Sequence, residues 1–266
     1  MDKMSIIGVI VGVAAVIISM VFKGTSLMVL VNPAAITIIL VGTVAAILIG
    51  FPSEDVKRIP KLFKVIFQRQ QIPNTSELIS LFVNLSAMAR KEGLLALENE
   101  IEQIEEPFLK QGMKMVVDGL DPDFIRDTME VELEVMEERH ASGAAIFTQA
   151  GTYAPTLGVL GAVMGLIAAL GDLNDIDALG YAISAAFVAT LFGIFTGYVL
   201  WHPFANKLKR KSKLELTQKS LMIEGVLSIQ AGISPRALED KLLVYLSLVE
   251  KAKRGEAVNQ GESVNG

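Results

Sequence analysis

With 266 residues, of which 52% are apolar and 20% charged, the chain departs only modestly from soluble domains, which average about 45–50% and about 25%. A net charge of −5 argues against a nucleic-acid partner, and the absence of cysteine excludes disulfides and thiolate chemistry. Two histidines far apart, no phosphate-binding glycine loop and no nucleophile elbow leave no metal site and no catalytic motif, so the chain reads as a non-enzyme without cofactor.

The average conceals a segregation, because nearly all the charge lies in Ser53–Arg139 and after Trp201. The run Met4–Phe22 follows Lys3 as a signal peptide would. It is longer than a usual signal core and no cleavage site follows, so it is assigned as a first membrane helix, in which Gly8 and Gly12 form the GxxxG spacing of a contact face. Pro33 fits the first turn of a second helix running to about Phe51 and closed by Pro52.

The middle segment of about 90 residues is expected to be helical. Asn74-Thr-Ser-Glu77 resembles a capping box, in which Glu77 reaches back to the cap, and Leu78, Leu81, Phe82, Leu85 and Met88 then recur at helical spacing. Asp121-Pro122 marks another start, from which nothing breaks the helix before Ala144, predicting one rod that continues into the third membrane span. Arg90 and Glu98 are opposite charges that an unbroken helix would project from adjoining faces, with Gly93 between them to loosen that geometry.

Ala144–Leu170 and Ala178–Trp201 carry no charge, are long enough to cross a bilayer, and flank a short acidic turn. Gly158, Gly161 and Gly165 in one span and Ala185, Ala186, Ala189, Gly193 and Gly197 in the other predict close helix packing. Since no charge stands at membrane depth, an acid that carries protons must come from another chain. Thr190 offers a hydroxyl, either to a lumen or back to residue 186, whereas Ala162 at the matching depth offers no oxygen, which favours a proton over an alkali ion. Pro155 and Pro203 remove backbone donors near opposite ends of the hairpin, as kinks or as hinges. His140, His202, Trp201 and Tyr198 are placed at the headgroup level. Beyond it, the basic patch Lys207–Lys213 leads into a helix over Leu214–Gln230, a further helix is expected from Ser234-Pro235 to about Lys253, and 255–266 should be disordered.

Basic residues after the second and fourth spans put both termini and the middle segment in the cytoplasm. The chain is thus expected to be all-α and polytopic: helices one and two in 1–51, a helical loop in 52–143, helices three and four in 144–202, and helices again in 203–254.

The hairpin with Gly151-Thr-Tyr-Ala-Pro155, the ending Trp201-His-Pro-Phe-Ala-Asn-Lys-Leu208 and the run Arg90-Lys-Glu-Gly-Leu-Leu-Ala-Leu-Glu98 resemble the flagellar stator branch of the MotA/TolQ/ExbB superfamily. The resemblance covers Met1 to about Leu248. It implies a pentamer in the inner membrane around paired MotB helices, which supply the proton-accepting aspartate and the peptidoglycan anchor. It makes Arg90 and Glu98 the contacts to the rotor protein FliG, Pro155 and Pro203 the coupling residues, and Thr190 a hydroxyl on the proton path. Ala162 matches proton-type members, where sodium-type PomA carries threonine. Thr152 replaces an acid that some members carry. The alternative is an ExbB- or TolQ-like energy transducer, against which the extra N-terminal helix counts.

Overall fold

The computed structural model describes residues 3–70, 73–171, 176–246 and 251. Every regular element among them is helical. Contacts divide the chain into two units, residues 1–70 with 139–211 and residues 71–138 with 212–266, so the division does not follow chain order.

In the first unit, α1 (Lys3–Phe22) buries no residue, and α2 (Pro33–Gly50) buries only Ala35, Ile39, Thr43 and Ile47. The start of α2 is fixed locally: Asn32 Oδ1 accepts from the Ala35 N–H at 3.1 Å, with Pro33 in the first turn. Outward-facing Ile10, Val21, Phe22 and Ile49 form apolar surface that water would penalise and hydrocarbon would not. Four helical stretches are long and apolar enough to cross a membrane, the first two being Lys3–Phe22 and Leu27–Gly50.

The other two belong to longer helices. The predicted rod exists as α8 (Pro122–Leu170), 49 residues without interruption and with Pro155 inside it. Its return partner α9 (Ile176–Phe195) continues through a π-helical turn, Thr196–Trp201, into α10 (His202–Gln230). The expected basic patch and following helix are therefore one element. The small-residue stripes do meet: a Cβ on Gly158 would lie 2.9 Å from the Ala189 carbonyl oxygen, and one on Gly193 would lie 2.9 Å from Gly158 Cα. Of the Gly8/Gly12 pair, only Gly12 faces a neighbour, Val199.

Two short helices follow α2, namely α3 (Ser53–Val56) and α4 (Ile59–Phe67). α4 turns Leu62, Phe63 and Ile66 onto Ala144, Phe147 and Phe204. Its last turn is closed by Lys211, whose Nζ donates to the Gln68 carbonyl at 2.6 Å and also to that of Val65.

The second unit is built from α5 (Thr75–Glu92), α6 (Glu98–Glu102), α7 (Pro107–Val117), the start of α8, the end of α10 and α11 (Pro235–Leu242). Ile79, Phe82, Met113, Ile125, Val226 and Leu238 meet in one core, which sequence-remote segments share. Phe82 lies so close to Gly225 that a Cβ there would come within 2.5 Å of its ring.

Two local expectations change here. The Asn74 cap accepts from the Ser76 N–H at 3.0 Å, but the box closes between side chains, with Asn74 Nδ2 donating to Glu77 Oε1 at 3.2 Å. The last helix, expected from Ser234-Pro235 to about Lys253, starts where its cap predicts and is interrupted after Leu242 by a 3-10 turn over Leu243–Tyr245 and an extended Leu246, a break that no glycine or proline announces. Lys251 is helical, and 247–250 and 252–253 lie outside the described residues. The expected disorder of 255–266 lies outside the described residues.

Candidate functional site

In the membrane unit the site is the hairpin of α8 and α9. Gly161 faces Ala189 across the seam, so their chain neighbours Ala162 and Thr190 stand at one depth, and both are half-buried. The Thr190 hydroxyl donates to the Ala186 carbonyl at 3.3 Å, the back-bonded state of the two open in the sequence. Thr148 and Thr152 do likewise, donating to the carbonyls of Ala144 and Thr148 at 3.1 Å each, and Thr156 donates to that of Tyr153 at 2.7 Å, with the Thr152 carbonyl at 3.4 Å. At four-residue spacing they form one hydroxyl stripe along α8, exposed at Thr152 and Thr156.

A cavity of about 660 Å³ opens between the start of α2, α8 and α9, bordered by Asn32, Ile38, Gly165, Tyr181 and Ala185. Neither Ala162 nor Thr190 borders it, and it contains no carboxylate.

The two prolines lie at the same end of the hairpin, not at opposite ends. A Cβ on Gly197 would meet the Pro155 ring at 2.7 Å, and Pro203 follows only six residues later, because an antiparallel hairpin brings the start of one helix beside the end of the other. Pro155 has no N–H for the Gly151 carbonyl, and that oxygen looks at Gly197, 2.8 Å from where a Cβ would stand. Pro203, exposed, directly follows the π turn. Wider turns of this kind accommodate a missing donor and occur often at functional positions.

Trp201, at the end of its span, turns its ring toward other aromatics. Its indole sits among Phe63, Phe147 and Phe204, with ring centroids 6.2 to 6.3 Å away, and its Nε1 is buried without an acceptor among the described residues. Tyr198 is exposed, in keeping with a boundary position, while the His202 ring lies 5.3 Å from it, tilted by 45°, and packs against Gly151.

In the second unit Arg90 and Glu98 do not share an unbroken helix. Gly93 takes φ +90°, a left-handed conformation that ends α5, a 3-10 turn follows over Leu94–Leu97, and Glu98 opens α6. Both side chains are exposed, and neither forms an ion pair among the described residues, whereas Lys91 pairs with Glu92 at 3.3 Å. Beside Glu98 a charged cluster has formed: Glu102 bridges Lys110 at 2.9 Å and Lys114 at 2.8 Å. Hydrogen bonds from Lys114 and then Lys110 hold the Glu102 carboxyl down at about 2, and the Lys114 ammonium is raised in return.

A family model described as the MotA/TolQ/ExbB proton channel family matches residues 100–220, and one for the Motility protein A N-terminus matches residues 6–93. Motility protein A of Bacillus subtilis strain 168 is 57% identical over 266 residues, covering all of this chain and 97% of that protein. This chain belongs to the MotA/TolQ/ExbB proton channel family. Within the family, chemotaxis protein PomA of Vibrio alginolyticus is 32% identical over 252 residues, 95% of this chain and 98% of that protein. Among solved structures, the flagellar MotAB stator complex from Bacillus subtilis superposes with a TM-score of 0.90 at 57% identity, covering 95% of this chain and 99% of that one. MotAB of C. jejuni gives 0.88 at 33%, covering 93% and 97%. The expected flagellar stator subunit, all-α and membrane-spanning, is what these likenesses bear out.

For a member of the MotA/TolQ/ExbB family, several residues that shape the site escaped the sequence reading. The π turn has no compositional mark beyond glycine and proline nearby. The seat of Pro155 on Gly197 and the aromatic cluster around Trp201 depend on which helix lies beside which. The threonine stripe is legible in the sequence as a four-residue period.

Proposed function

We propose that the chain forms the ring of a proton-driven stator in the cytoplasmic membrane, with both termini and the middle segment on the cytoplasmic side. Five copies surround two copies of a MotB-type partner, whose aspartate accepts the proton and whose other end grips peptidoglycan. The carrying observation is chemical: from Ala144 to Leu170 and from Ala178 to Trp201 there is no carboxylic acid and no charged residue, so the proton acceptor at membrane depth belongs to another chain. The solved relatives, being MotAB complexes, support a MotB-type partner.

In this mechanism Thr190 and the stripe Thr148, Thr152 and Thr156 give the wall of the path hydroxyls that can turn from their own backbone toward an incoming carboxyl. Ala162 supplies no oxygen and so favours a proton over a sodium ion, which needs several ligands. Pro155 and Pro203, at one end of the hairpin, pass a change at the acid to α10. Arg90 and Glu98, exposed and without an ion pair among the described residues, meet opposite charges on a FliG-type rotor protein.

The test is swimming speed under separate control of the two gradients. Speed should follow the proton-motive force and ignore sodium removal at constant force. Arrest on sodium removal would refute the proton assignment, and conduction by the purified chain without partner would refute the division of labour.

A further inference from the structure

We propose that the outer face of α4, with the first turns of α10, binds the head groups of anionic phospholipids. The proposal goes beyond the torque reading and needs only that the four apolar helices lie in a membrane.

α4 is amphipathic. Leu62, Phe63 and Ile66 are covered by Ala144, Phe147 and Phe204, while Lys61 and Lys64 face outward. Exposed Lys57 and Arg58 precede the helix and exposed Arg69 follows it, and on α10 Lys209 and Arg210 are exposed. Three cations of this neighbourhood are occupied: Lys211 closes the end of α4, Lys207 donates to the Ser5 hydroxyl, and Arg58 lies 3.5 Å from Asp55. Among the described residues Lys57, Lys61, Lys64, Arg69, Lys209 and Arg210 have no ion pair. The only acids in 51–70 are Glu54 and Asp55, and 202–211 contain none.

The level at which these cations stand decides the kind of anion. Lys207 ties α10 to the first turn of α1, Gly50 ends α2 near the Tyr153 hydroxyl, and Lys211 ties α10 to α4. The apolar lengths of α1, α2, α8 and α9 therefore all end where α4 lies, at the boundary between hydrocarbon and head groups. There Val65, 42% exposed, shares the outer side of α4 with exposed Lys61 and Lys64, the mixture of apolar and basic residues that an interfacial helix presents to an anionic leaflet. Long lysine and arginine stems let the charges reach phosphate oxygens from that depth.

The test uses the intact complex of the chain with its MotB-type partner, purified in detergent and offered phosphatidylglycerol and phosphatidylcholine together, with retained lipid counted by native mass spectrometry. Phosphatidylglycerol should be retained several-fold over phosphatidylcholine, and that excess should fall as sodium chloride rises. Combined Lys57→Gln, Lys61→Gln and Lys64→Gln should remove most of the excess without lowering the melting temperature, and Lys91→Gln should leave it intact. Equal retention of the two lipids, salt-independent retention, or an unchanged excess in the triple variant overturns the proposal. So does a triple variant that keeps the lipid but loses subunits, which would make this face a protein contact. If the triple variant does not assemble, the salt dependence of the unaltered complex decides.

Discussion

Replacing Gly197 by alanine tests the seat of Pro155 directly. The added Cβ would stand 2.7 Å from Pro155 Cγ, 2.9 Å from Cδ and 2.8 Å from the Gly151 carbonyl oxygen, a rigid ring and a backbone atom that cannot swing aside. Restoring an ordinary carbon–carbon contact of about 3.5 Å requires α8 and the π turn to part by roughly 0.8 Å. Overpacking of this kind costs about 1–3 kcal/mol. Alanine also gains about 1 kcal/mol over glycine as a helix former, which would mask part of the loss. Gly8→Ala is the matched control, because nothing lies within 4 Å of a Cβ at that position. Subtracting the control cancels the propensity gain, so Gly197→Ala should be less stable than Gly8→Ala by about 1–3 kcal/mol, several degrees of melting temperature in the purified complex. Swimming should fall with it, since the distorted contact carries one of the two prolines. Equal melting temperatures for the two variants would refute the close contact and the role built on it.

Arg90→Glu should weaken swimming while membrane assembly stays normal, and a charge reversal on the rotor should restore it; loss of assembly would show a structural role instead. Thr190→Val keeps the shape and removes only a hydroxyl that the structure finds satisfied by the Ala186 carbonyl. It should lower swimming speed without lowering expression, and unimpaired swimming would reduce Thr190 to a helix residue. Because its folded value, about 2, lies below its ordinary 4.5, Glu102 adds stability that is present above pH 4.5 and is lost as pH falls from there toward 2. Glu102→Gln should therefore flatten the acid limb of thermal stability and leave the neutral plateau less changed than the mutation of a core residue would.

Much of the architecture could be read from local chemistry. Asn32-Pro33, Asp121-Pro122 and Ser234-Pro235 all start helices, with the Asp121 carboxylate accepting from the Asp123 N–H at 2.9 Å and the Ser234 hydroxyl from the Ala237 N–H at 3.3 Å. The candidate residues divided differently. Charge-free spans and the Thr190 and Ala162 positions followed from composition and spacing. Arg90 and Glu98 gained their actual relation only through Gly93, whose positive φ no composition records.

The sequence by itself determined the elements and their solvents, because hydrocarbon admits only uncharged helices with internally satisfied backbones, and capping residues act within a turn or two of themselves. The tertiary structure alone decided the neighbours. That residues after 212 share a core with α5 and α7, that Trp201 lies inside an aromatic cluster, and that both prolines belong to one end of the hairpin are facts of contact between remote segments. Packing energy depends on which surfaces meet, and periodicity along a chain carries no record of that.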